Sequence, residues 1–75
     1  MEHKYPDAEI NERNAVRLAP NMPRAQFNLG ETLIAEKKYP EGLLYLRSAA
    51  RMEPGNTQFT EELKNATSLS DTKQD

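Results

Sequence analysis

EHKYPDAEINERNAVRLAPN (residues 2 to 21) and EKKYPEGLLYLRSAARMEPG (residues 36 to 55) lie 34 residues apart, and laying one over the other decides the architecture. The identities are Glu2/Glu36, Lys4/Lys38, Tyr5/Tyr39, Pro6/Pro40, Arg13/Arg47, Ala15/Ala49, Arg17/Arg51 and Pro20/Pro54. Ile10/Leu44 and Leu18/Met52 agree in kind, and beyond the two blocks Leu29 meets Leu63. Two KYP tripeptides and two helix-ending prolines share one offset, so the chain is read as an array with a 34-residue period.

Each unit reads as two helices. Pro23 suits a first helical position, where its missing N–H has no intrahelical partner to lose. Ala25, Leu29, Leu33 and Glu36 follow at spacings of four and three, which marks one face of a helix from Pro23 to Glu36. Lys37 and Lys38 place positive charge at its negative C-terminal end. A second helix starts at Pro40 and carries Leu43, Leu46, Ala49, Ala50 and Met52 until Pro54-Gly55 forbids continuation. Only Lys37 to Tyr39 separate the two, so they must fold back as an antiparallel hairpin. Tyr5 to Leu18 repeats the second helix alone. Asn56 can cap a third element that repeats the first helix, with Phe59, Leu63 and Ala66 again at four and three. The expected organisation is one helical domain over 1 to 68, made of a half repeat (4 to 21), a full repeat (23 to 56) and a capping helix (57 to 68). Residues 69 to 75 are expected to form a flexible polar tail.

Composition excludes much else. Seventy-five residues with ten basic and twelve acidic side chains, net charge −2 and 36% hydrophobic residues make at most one small domain. Leu, Ile, Val and Phe number thirteen, about 17% of the chain, a thin supply for a central core. No Cys is present, so neither disulfides nor thiolate metal sites can staple it, and the single His3 cannot build a His-rich one. The longest apolar run, Leu43 to Leu46, is far short of the roughly 20 residues that span a membrane, and the N-terminus has no apolar leader. A pI near 5.4 and no basic cluster longer than Lys37-Lys38 leave no footprint for nucleic acid or anionic lipid. The expectation is a soluble chain, with the cytoplasm favoured as its location, that needs neither cofactor nor metal.

Mid-helix Gly30 costs about 1 kcal/mol relative to alanine, which points to a backbone approach, with Gly42 and Ala49 as its expected neighbours across the hairpin. Tyr5 and Tyr39 are expected to plug hairpin corners. Leu43, Leu46 and Met52 are expected to pack inside, while Leu44 and Tyr45 face away.

Taken together these residues resemble the tetratricopeptide repeat, a 34-residue helix-turn-helix. Leu29-Gly30, Leu33, Tyr39, Gly42, Leu46, Ala49 and Pro54 stand in register with that family's pattern, as do Tyr5, Ala8, Ala15, Pro20 and Leu63 in the flanking halves. The match covers about residues 4 to 67. Gln26 stands where the family often has Trp, with Phe27 one residue later; Glu12 stands where a large apolar residue is usual, and Lys64 replaces the second glycine. The resemblance implies an all-α fold of antiparallel helix-turn-helix repeats stacked as a short right-handed superhelix, an α-solenoid. About 2.2 periods fall short of the roughly three that such stacks usually need, so marginal stability, help from a partner or origin in a longer array is expected.

The family holds extended peptides or a partner's helix on the concave wall formed by first helices. Carried over, that wall comprises Arg24, Phe27, Asn28, Glu31, Ile34 and Ala35, continued by Gln58, Glu61, Glu62 and Asn65. Phe27 is expected to be the apolar anchor, and Asn28 can clamp a ligand's main chain because its amide both donates and accepts. Some family members grip a chaperone tail's carboxylate with basic residues on successive first helices. Gln58 and Glu62 occupy those places here, which disfavours that role. With Glu31, Glu61 and Glu62 on one wall, a neutral or basic peptide is the expected ligand.

Catalysis has no foothold: there is no Cys, no phosphate-cradling glycine loop and no serine in a nucleophile-elbow setting. Asn65-Ala66-Thr67 fits the glycosylation acceptor pattern but falls inside an expected helix, which favours coincidence. The leading expectation is therefore a protein or peptide binding module and not an enzyme. A second is an assembly segment, forming homo-oligomers through the N-terminal helix with Ala8, Ala15, Val16 and Leu18, or ending a longer array. A third is an interaction segment of a larger enzyme.

Overall fold

Pro23, Pro40 and Asn56 sit where helices begin. In a computed structural model, which describes residues 4 to 73, the elements are α1 (Lys4–Leu18), α2 (Pro23–Ala35), α3 (Tyr39–Met52) and α4 (Thr57–Lys73). There is no strand among the described residues. Pro23 and Pro40 occupy opening positions of α2 and α3. The Asn56 side-chain oxygen accepts from the Phe59 N–H at 3.2 Å and so caps α4.

At the end of α2 the Lys38 N–H donates to Leu33 at 2.8 Å and the Lys37 N–H to Ile34 at 2.9 Å, with Lys37 in the left-handed region at φ 66°. This six-to-one and five-to-two pair closes the helix in the Schellman manner and turns the chain within three residues. The short turn makes α2 and α3 antiparallel. Gly30 lies opposite Leu46, while Gly42 lies opposite Ile34. A Cβ on Gly30 would stand 3.1 Å from the Gly42 carbonyl oxygen, and one on Gly42 would stand 3.1 Å from that of Gly30. The two glycines thus let the backbones meet, as their cost in mid-helix suggested. The second neighbour of Gly30 is Leu46 and not Ala49, because the facing positions are those whose numbers sum to a constant along an antiparallel pair.

Packing runs along the chain, α1 against α2, α2 against α3 and α3 against α4, with α2 against α3 the most extensive. Phe59, Leu29, Leu33 and Leu46 are the largest fully buried side chains, and each contributes about 1.5 to 3 kcal/mol by leaving water. The principal extents of 37, 36 and 17 Å describe a plate roughly two helix diameters thick, so every helix keeps a solvent side. Leu44 is exposed as expected, whereas Tyr45 is half-buried.

Three expectations are corrected. Met52, expected inside, is 38% exposed in the last turn of α3. The tail expected from residue 69 is helix through Lys73, since Ser70 extends the stripe of Phe59, Leu63 and Ala66 by one more step of four and is buried. A serine on a buried stripe gives no apolar signal to read. Tyr39 is only half-buried at its corner, and the side chain of Tyr5, like residues 74 and 75, lies outside the described residues.

Candidate functional site

Arg24, Asn28, Glu31 and Ala35 recur at four, three and four along α2, and Gln58, Glu62, Asn65 and Leu69 repeat that spacing on α4, each 34 residues later. The two rows meet. Arg24 Nη1 donates to Gln58 Oε1 at 3.3 Å, across one full period. Its guanidinium carbon lies 5.5 Å from the Phe27 ring centroid and 5.2 Å from that of Phe59, close enough for cation–π attraction to both.

Beneath Arg24 the Phe27 and Phe59 rings stack with centroids 4.5 Å apart and planes inclined by 25°. They are 4% and 1% exposed. This overturns the expectation that Phe27 anchors a ligand: its ring is already covered by α4. Ile34 is likewise displaced from the expected wall. It packs against the hydrophobic core, and its Cδ1 would lie 2.7 Å from a Cβ at Gly42, so it belongs to the α2–α3 interface.

Of the remaining residues, Arg24, Asn28, Ala35, Gln58, Glu61 and Asn65 are exposed, while Glu31 and Glu62 are half-buried. Burial, and then the hydrogen bond and charge of the Glu62 carboxyl, push Glu31 up to about 7. Leu69, 48% exposed at the end of the α4 row, was missed by the sequence reading. Its signal was the four-three-four spacing from Gln58, hidden because the helix was expected to stop at 68.

A second polar cluster ties α1 to the turn before α3. Arg13 Nη2 bonds Glu41 Oε2 at 2.8 Å and Arg13 Nε bonds Glu9 Oε2 at 2.8 Å, while Lys38 Nζ lies 3.2 Å from Glu9 Oε1 and 3.3 Å from Glu36 Oε1. A hydrogen bond from Glu36 and the Arg13 guanidinium hold Glu9 down at about 2, while burial and the neighbouring Glu9 raise Glu36. The two shifts belong to the pair more than to either residue alone. These contacts fix the packing of α1 and are partly exposed, so each contributes modestly.

An open cleft of about 460 Å³ lies between α3 and α4, bordered by Pro40, Leu43, Arg47 and Asp71, and none of the expected wall residues lines it. Among the described residues no group of three or more carboxylates or His could hold a metal ion, and no helix is long and apolar enough to cross a membrane. No protein-family model matches the chain, and neither does any curated protein or solved structure.

Proposed function

We propose that this chain is a protein-binding module: a short stack of tetratricopeptide-like repeats whose α2–α4 row receives a basic or neutral peptide or partner helix. The observation that carries this reading is the pairing of Glu31 with Glu62 across two helices one period apart. A carboxyl lifted to about 7 by burial and a second carboxyl is a group whose ionised form lacks a counter-charge, and a ligand cation supplies one. Arg24, Asn28, Gln58 and Asn65 border the pair with exposed donors and acceptors that suit a peptide main chain. Leu69 replaces Phe27 as the apolar contact, being the exposed apolar side chain at the end of the row. The reading includes no catalytic step.

Fluorescence anisotropy with labelled lysine-rich and glutamate-rich peptides tests it. The lysine-rich peptide is expected to bind more tightly, and Glu31→Gln with Glu62→Gln to weaken it by about fivefold or more. Preference for the acidic peptide, or indifference to the double substitution, contradicts the proposal.

A further inference from the structure

The 34-residue register makes the two ends of the molecule counterparts of its middle. Residues of α4 correspond to those of α2, and residues of α1 to those of α3, each displaced by 34. On α3, Gly42, Leu46 and Ala49 are buried against α2. Their counterparts on α1 are Ala8 and Glu12, half-buried, and Ala15, exposed. On α2, Leu29, Gly30 and Leu33 are buried against α3, whereas their counterparts on α4 are Leu63, half-buried, and Lys64 and Thr67, both exposed. Among the described residues, then, α1 and α4 each carry the stripe that α3 and α2 use to join, and each stripe is less buried than its counterpart.

The substitutions on the two stripes are complementary. Gly30 faces Leu46 so closely that a Cβ would stand 2.8 Å from the Leu46 Cδ2. Shifted by one period, that facing pair becomes Lys64 on α4 and Glu12 on α1, a cation and an anion. Glu12 is half-buried on α1 and Lys64 is exposed on α4. The other facing pair, Gly42 with Ile34, becomes Ala8 with Ser68, which keeps both side chains small enough for close approach.

We propose that a second copy of this chain docks head to tail, its α1 lying against α4 of the first in the geometry of the α2–α3 hairpin, with Lys64 of one copy paired to Glu12 of the other. The contact is heterologous, so it leaves one open α1 and one open α4 at the ends and extends into short linear oligomers. Polar Thr67 and Ser68 in place of Leu33 and Ile34 make it weaker than the internal hairpin and sensitive to salt. The inference rests on the repeat register alone and does not need a peptide on the α2–α4 row, so the two proposals can fail separately.

Sedimentation equilibrium from micromolar to millimolar concentration is the test, with circular dichroism confirming helix content of each variant. The wild-type chain is expected to show a mass that rises with concentration and falls with added salt. Glu12→Lys alone and Lys64→Glu alone should each weaken association about tenfold or more by placing like charges opposite one another. An equimolar mixture of the two single variants should restore it, which a folding defect would not do. A mass that stays monomeric throughout, or single variants that associate like the wild type, overturns the proposal and leaves the two stripes to a different protein's helix.

Discussion

The Phe27 ring lies 4.5 Å from the Phe59 ring, centroid to centroid, and the Arg24 guanidinium sits above both. Through this contact α4 is joined to α2 as well as to α3, and it fills the space beneath the proposed binding row.

Phe27→Ala is therefore a stability variant before it is a binding variant. Loss of a 4% exposed ring and of its stacked partner's contact is expected to cost about 3 to 5 kcal/mol. Urea denaturation followed by circular dichroism measures it; a change below about 1 kcal/mol would show that the ring is not part of the core.

Gly30→Ala is expected to destabilise even though alanine is the better helix former by about 1 kcal/mol. The new Cβ would stand 2.9 Å from the Leu46 Cγ, on a side chain only 1% exposed, and 3.1 Å from the Gly42 carbonyl, so overpacking of about 1 to 3 kcal/mol outweighs the gain. A raised melting temperature for this variant would mean that the hairpin can open without loss.

Lys37 holds φ at 66°, a conformation that glycine adopts without the Cβ penalty. Lys37→Gly should stabilise the protein by about 0.5 to 1 kcal/mol, a shift of a few degrees in melting temperature. An unchanged or lowered melting point would argue against the left-handed turn at the end of α2.

The sequence displayed the period more plainly than the surface. The opening prolines and the Asn56 cap were legible because each answers to a local backbone demand that one residue type meets, and glycines 30 and 42 because a mid-helix glycine signals a close approach of two backbones. Phe27 was misread for a geometric reason. It stands one residue before Asn28, and a step of 100° around the helix separates a wall residue from one that points at the next repeat. Phe59 occupies a different register position from Phe27, so no alignment by 34 pairs them, and their stacking depends on how α2 and α4 cross. Ser70 hid the last turns of α4 for the simpler reason that a buried serine looks like tail.

Two carboxyls give opposite pH trends. Glu31 is raised to about 7 in the folded chain, so the folded state binds the proton more tightly and the stability from this group, full below its ordinary carboxyl range, is lost as pH rises toward 7. Glu9 is lowered to about 2, so its contribution is present above the ordinary range and is lost as pH falls through 2. Glu31→Gln should accordingly raise the melting temperature above neutral pH and leave it nearly unchanged in mild acid. Equal effects at both pH values would separate Glu31 from the Glu62 field.

Amide chemical-shift mapping locates the surface that meets a ligand. Titrating an isotope-labelled chain with a lysine-rich peptide is expected to move the amides of Arg24, Asn28, Glu31, Gln58, Glu62, Asn65 and Leu69, and to leave those of Ala8, Ala15 and Arg17 on α1 in place. Shifts confined to α1 or to the α3–α4 cleft, or no shifts at saturating peptide, would contradict binding at the α2–α4 row.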